Sequence, residues 1–372
     1  MTLVLVLLLS QLDAGGAAEP ADAGEAFVSK PTARKPLARK VDEARVKRVL
    51  ESLSTRERAA QLVLAYPQIG KSTPVEVGGV LFVGASLKNI AAAKQRISSS
   101  LARAKVPPFF AVDMEGGPTN RLKSLKSLRT MPTAREMAEL DDAEVMKWGK
   151  TVGEAMRSIG LNLNLAPVLD VSTKGHMFDN KRSFSGDADV VVAKATAFSR
   201  GLLEAGVVPI GKHYPGYGSL SGDSDHALVT ADWKEAELAA NVKVFERTHE
   251  VLGGVMLANV IYPVRGDKPA IVTAALVEKT HEREWIAVTD DISIKLLADA
   301  IGGTSEQVLE EAFLAGNDLL LTTAPPDWDK GLDYIGVLTR LAESDPVAKQ
   351  KLDAACTRVL RLKDKMKLLD GL

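Results

Sequence analysis

Val207-Val208-Pro209-Ile210-Gly211-Lys212-His213-Tyr214-Pro215-Gly216-Tyr217-Gly218-Ser219-Leu220-Ser221-Gly222-Asp223-Ser224-Asp225-His226 starts as one kind of sequence and ends as another. The apolar run 207–210 reads as a short buried strand. The sixteen residues from Gly211 to His226 then hold a lysine, two of the chain's five histidines, two aspartates and four glycines. No core strand needs that mixture, because burying Lys or His without partners is costly. A glycine-rich loop with convergent polar groups at a strand's end is where chemistry concentrates.

The same unit recurs on both sides. Strand-like apolar runs lie at 79–82, 108–112, 161–168, 207–211, 255–260, 286–289 and 318–322, and 62–66 is an eighth candidate where helix and strand readings compete. Amphipathic helical segments separate most of them, for example 134–159, 190–205, 234–252 and 305–315. Strands alternating with helices argue for a parallel sheet with helices outside. Seven or eight units over roughly 300 residues fit a single (β/α)8 TIM-type barrel better than a doubly wound sheet. No GxGxxG or P-loop pattern follows any run, which also weighs against a nucleotide-binding sheet.

Before the first unit, Val41, Val46, Val49, Leu50 and Leu53 space like one helical face, and Ser54 with Glu57 reads as a capping box opening a second helix. The C-terminal pattern, 346–369, is a last helix. The barrel domain is therefore expected over residues 41–372. Residues 1–18 carry an apolar run, Leu3 to Leu9, with small residues at Gly16 and Ala18, and read as a signal peptide or apolar N-terminal segment. Residues 19–40, rich in Ala, Pro, Lys and Arg, read as a linker. The expected location is the periplasm or cell envelope, or the cytoplasm if the first segment is not a working signal.

Bulk properties exclude several classes. Of 372 residues, 46% are hydrophobic and 26% charged, and the formal net charge of −1 gives no reason to expect a nucleic-acid partner. No apolar run is long enough to span a membrane. The single cysteine, Cys356, excludes an intrachain disulfide and multi-cysteine metal sites, and its place in a helical pattern suits a buried structural thiol. Oligomeric state is not encoded in any pattern found.

In such a barrel the active face is built at the C-terminal ends of strands. The polar residues there are Asp113, Glu115 and Arg121; Asp170 and Arg182; Lys212, His213, Asp223, Asp225 and His226; Asn259; and Asp290 with Asp291. Each has a plain alternative: Asp113 and Asp170 as strand terminators or caps, Arg182 paired with Asp187, Asp291 as a helix N-cap. Their recurrence at the same end of successive strands favours a site. There is no Gly-x-Ser-x-Gly elbow, no His-x-x-x-His zinc pair and no redox cysteine pair. What remains is a carboxylate nucleophile or base, histidines near carboxylates, and Lys and Arg donors for hydroxyls or anions. A carboxylate facing a second proton-transferring group is the minimum for cleaving a glycosidic bond.

These motifs resemble glycoside hydrolase family 3, and within it the single-domain NagZ-type β-N-acetylglucosaminidases. Lys212 to Gly218 followed by Asp223 is similar to the family's Lys-His-Phe-Pro-Gly-His-Gly loop with its Asp-Ser-His end. Val112 to Gly117 with Arg121, Leu165 to Val171, Arg182-Ser183-Phe184 and Thr289-Asp290-Asp291 resemble four further family segments in the family's order. The resemblance implies a retaining exo-glycosidase acting on β-linked N-acetylglucosamine in peptidoglycan-derived or chitin-like oligosaccharides. It implies Asp290 as nucleophile, His226 as acid/base oriented by Asp223, and Asp113, Arg121, Arg182, Lys212 and His213 as sugar-binding groups, with no metal and no organic cofactor.

Three departures accompany it. The family pair is Asp-x-His, whereas here Asp223-Ser224-Asp225-His226 brings the histidine one residue late. Either the loop has an extra residue and His226 still pairs with Asp223, which is the expected case, or Asp225 fills the acid/base place. Pro118 stands where an arginine is usual, and Tyr217 and Asn259 replace histidines. The alternatives kept open are a β-glucosidase-like member, a catalytically impaired glycan-binding homologue and, more remotely, a metal-dependent barrel hydrolase.

Overall fold

The computed structural model describes Leu37 and residues 39–66, 77–323 and 333–372. The expected signal segment and nearly all of the linker lie outside the described residues. Two helices open the described chain, α1 (Glu43–Ser52) and α2 (Thr55–Gln61). Ser54 accepts from the Glu57 amide while the Glu57 carboxylate accepts from the Ser54 amide, the reciprocal cap its sequence predicts.

Eight parallel strands follow: β1 (Val63–Ala65), β2 (Gly79–Phe82), β3 (Phe109–Val112), β4 (Leu163–Asn164), β5 (Val208–Tyr214), β6 (Gly254–Leu257), β7 (Ile286–Thr289) and β8 (Leu320–Thr322). Each pairs with its sequence neighbour, and β1 pairs with β8. Between β7 and β8 the ladder is a single bridge, Val288 to Leu319. Side chains reinforce that seam: Asp318 Oδ2 accepts from the Ala287 amide at 2.8 Å, and Thr289 Oγ1 from the Leu321 amide at 2.9 Å. The expected single (β/α)8 barrel is what forms.

The outer helices include α3 (Ile90–Leu101), α4 (Ala134–Ala138), α5 (Asp142–Ile159), α6 (His176–Asp179), α7 (Ala188–Glu204), α8 (Glu235–Arg247), α9 (Ala274–His281), α10 (Lys295–Ile301), α11 (Ser305–Ala315), α12 (Tyr334–Ser344) and α13 (Pro346–Lys365). The helix expected at 134–159 is two helices, because Asp141 caps a fresh start by accepting from the Glu144 amide at 2.7 Å. The strand expected at 161–168 is a short ladder plus one bridge from Val168 to Lys212, since Pro167 has no amide to donate. The helix expected at 234–252 ends at Arg247, and the last one at Lys365.

Two apolar layers result. Inward-facing Leu64, Leu81, Ala111, Leu165, Ile210 and Val288 fill the barrel, while the outward faces of the strands pack against the helices. Val359 and Leu362 of α13 close the N-terminal end of the interior. Among the described residues no helix is long and apolar enough to cross a membrane.

Candidate active site

At the C-terminal end of β5, Lys212 and His213 are buried, Lys212 matched to two carboxylates that follow β3 and His213 to one that follows β4. Lys212 Nζ lies 2.8 Å from Asp113 Oδ1 and 2.6 Å from Glu115 Oε1. Arg182 grips the same Glu115 with both arms of its fork, Nε to Oε2 at 2.8 Å and Nη2 to Oε1 at 2.9 Å. Burial alone pushes the Glu115 carboxyl up, but Arg182 and Lys212 outweigh it and hold it well below the usual carboxylate range. For Lys212, Asp113 and Glu115 likewise override burial and keep the ammonium charged.

Asp170, fully buried after β4, organises the next layer. Its Oδ2 lies 2.8 Å from His213 Nδ1, and its Oδ1 accepts from the amides of Tyr217, at 2.6 Å, and His213, at 3.3 Å. A buried acceptor on Nδ1 fixes the ring's orientation and leaves Nε2 free to face the cavity. Gly218, at φ 58°, lets the chain turn where a Cβ would lie 2.6 Å from the Trp233 ring.

Beyond that turn Tyr217 reaches ahead. Its hydroxyl donates to the Gly222 carbonyl at 2.9 Å and accepts from the Ser224 amide at 3.0 Å. The Asp223 side chain accepts from the Asp225 amide at 3.1 Å, and its carbonyl accepts from the amides of His226 and Ala227 at 2.9 and 2.8 Å. The arm's far end is tied down where Val229–Thr230 pairs with Val260–Ile261.

Asp290 follows β7, held by its amide to the Leu257 carbonyl at 3.0 Å, and its Oδ1 accepts from the Asp291 amide at 2.9 Å. Burial raises its carboxyl above the ordinary value, against the pull of His213, the Asp291 amide and Lys212. Asp291 also lines the cavity, and its side chain accepts from Ser293 and Thr323, so it shapes the loop rather than capping a helix. Asn259 donates to the Asp291 carbonyl at 3.0 Å.

These groups surround a cavity of about 270 Å³ at the mouth of the barrel. Of the predicted site residues, Asp290, Asp223, Asp113, Arg121, Arg182, Lys212 and His213 all line it. His226 does not: the turn at Asp223 leaves it exposed outside that lining, while Asp225 takes the place facing inward. Arg182 pairs with Glu115 rather than Asp187, and Asp170 positions His213 rather than merely ending a strand. His176, at the start of α6, also lines the cavity, and sequence reasoning missed it. Its one signal was position in the long loop between Asp170 and Arg182. Among the described residues no group of three or more His, Cys, Asp or Glu side chains is placed to hold a metal ion.

Fold and site together define a barrel enzyme whose cavity combines paired carboxylates with fixed cationic donors, the equipment of acid–base cleavage at an acetal centre. The Glycosyl hydrolase family 3 N terminal domain profile matches residues 55–362. A beta-hexosaminidase of Neisseria meningitidis serogroup B is 28% identical over 264 residues, covering 68% of this chain and 72% of that protein. Beta-hexosaminidase LpqI of Mycobacterium tuberculosis is 31% identical over 270 residues, covering 69% and 67%. The crystal structure of β-N-acetylhexosaminidase from Beutenbergia cavernae superposes with a TM-score of 0.74 at 26% identity, covering 83% of this chain and 98% of that one. The chain belongs to glycosyl hydrolase family 3 and is a glycoside hydrolase.

Proposed function

We propose that this chain is a retaining exo-glycosidase that removes β-linked N-acetylglucosamine from peptidoglycan-derived or chitin-like oligosaccharides. The observation that carries the reading is the opposition, across one small cavity, of the Asp290 carboxylate and the anchored donors Lys212, Arg182 and His213. In this reading Asp290 attacks the anomeric carbon and forms a glycosyl-enzyme ester, which water then hydrolyses with net retention. Asp113, Arg121, Arg182, Lys212 and His213 grip hydroxyls and the N-acetyl group. Glu115 and Asp170 contact those donors and keep them aimed, so their groups need little reorganisation as charge develops. The β-hexosaminidase names of the relatives support the N-acetylglucosamine preference.

Purified protein should release 4-nitrophenol from the β-N-acetylglucosaminide far faster than from the β-glucoside, and Asp290→Ala should abolish the reaction. An activated 5-fluoro glycoside should label Asp290, read by mass spectrometry of the peptide. Wild-type protein inert on every aryl glycoside would sink the reading, and a faster β-glucoside would shift it to a β-glucosidase. For residues 1–18 we propose an export signal, on the strength of the apolar run from Leu3 to Leu9. An N-terminus at Met1 in protein recovered from cells would refute it.

A further inference from the structure

We propose that Asp225 carries the catalytic proton: it protonates the leaving glycosidic oxygen and then takes a proton from the attacking water. The inference rests on the reading of Asp290 as nucleophile. It replaces the expected role of His226, and its basis is placement. Asp225 and Asp290 line the same cavity, and His226 does not. That placement is built in by the arm's own bonds. The Tyr217 hydroxyl fixes Gly222 and Ser224, and the Asp223 carboxylate and carbonyl bind the three amides that follow Ser224. A turn held at both ends in this way puts Asp225 on the cavity lining and His226 outside it.

The steps balance. As Asp290 bonds to the anomeric carbon, the bond from that carbon to the leaving oxygen breaks, and Asp225 gives that oxygen its proton. Asp225, now a carboxylate, accepts a proton from water as water attacks the same carbon. The ester breaks, returning Asp290 as carboxylate and Asp225 as acid.

The charges suit the task. The carboxyl is withdrawn from bulk water, and Asp290 and Asp291 face it from the β7 loop and Asp223 from its own loop, while His213 on β5 pulls the other way. The net effect raises Asp225 to about 6. Although the residue as a whole is exposed, burial of its carboxyl is the largest cause, and the crowding of like charges adds to it. His176, whose strongest charged neighbour is Asp223, has its imidazole pushed below its ordinary value chiefly by burial, so less of it holds the proton that a general acid must give.

The decisive experiment measures Asp225→Ala, Asp225→Asn, His226→Ala and His176→Gln on β-N-acetylglucosaminides with dinitrophenyl and methoxyphenyl leaving groups, with and without azide. In the Asp225 variants kcat/KM should fall about 10²- to 10⁴-fold for methoxyphenyl and far less for dinitrophenyl. Azide, which attacks the ester without needing a base, should restore turnover and give the β-glycosyl azide. The wild-type kcat/KM should decline above about pH 6 as Asp225 ionises, and the variants should lose that limb. The same leaving-group dependence and azide rescue in His226→Ala or His176→Gln, and not in the Asp225 variants, would overturn the assignment. An equal loss on both leaving groups without rescue in the Asp225 variants would overturn it too. An active Asp290→Ala would instead overturn the underlying reading of the nucleophile.

Discussion

Among the described residues two lysines are buried, one at each end of the barrel, and they are held in opposite ways. Lys212, at the cavity in the barrel's mouth, meets two carboxylates and stays charged. Lys363, on α13 below the strands, meets the neutral Gln61 oxygen at 2.6 Å and the Phe109 ring at 5.0 Å. Burial lowers Lys363 to about 7, only slightly opposed by Cys356. The same side chain is thus a fixed cation at the cavity and a half-discharged amine at the opposite end. Depth alone does not decide a buried lysine's state. Its partner does.

Breaking the mouth should have the largest effect. Glu115→Gln leaves Lys212 and Arg182 short of a counter-charge and should cost about 3–5 kcal/mol in urea denaturation, the usual range for a broken buried pair. Because the Glu115 carboxyl is depressed on folding, its contribution is present above the unfolded value near 4.3 and is lost as pH falls. The variant should therefore lack that component of wild-type acid sensitivity; equal acid slopes would contradict the account of Glu115.

Breaking the floor should have the opposite sign. Lys363→Met should stabilise the protein by about 1–3 kcal/mol at pH 7, because it removes a charge that folding must strip of water. Between about pH 7 and the unfolded lysine value near 10.4, the unfolded chain binds a proton that the folded chain does not, so wild-type stability rises with pH. Cys356, pushed up to about 12 by burial, opposes this once unfolded thiols ionise near 8.5. The clean window is therefore about pH 7 to 8.5, with a slope near 1.4 kcal/mol per unit that Lys363→Met should flatten.

The smallest change sharpens the contrast. Gln61→Glu gives Lys363 the kind of partner Lys212 already has, and should erase the same pH slope. Its net effect on stability should be about 1 kcal/mol or less, since desolvation and attraction nearly cancel. A slope that persisted would mean that depth, and not the partner, sets the charge.

Most of the scaffold was legible in the sequence. All eight strands overlap the apolar runs, because strands buried on both faces are mostly apolar. But β5 continues past its run through Lys212, His213 and Tyr214, the first two being matched by Asp113, Glu115 and Asp170. The misses are local contests. Asp141 restarts a helix whose apolar periodicity runs straight through the break, and Pro167 thins a ladder that looks continuous. Seven of the residues lining the cavity were readable as polar groups at or beyond strand ends. The arm was not, because which of Asp225 and His226 faces the cavity depends on where the Tyr217 hydroxyl lands, several residues away. Asp170 was underread for a similar reason: its partners arrive from β5, forty-odd positions later.

The seam between β7 and β8 has one more consequence. Every other joint of the cylinder is a ladder of two or more backbone pairs, whereas here one bridge is joined by Asp318 and Thr289 side chains. The circumference at this joint is thus written partly in replaceable side chains, and Thr289 is the residue immediately before Asp290. A library varying Thr289 and Asp318 would adjust where the Asp290 carboxyl stands while leaving the other joints as they are. That makes the seam the natural starting point for re-tailoring this barrel to sugars of a different girth.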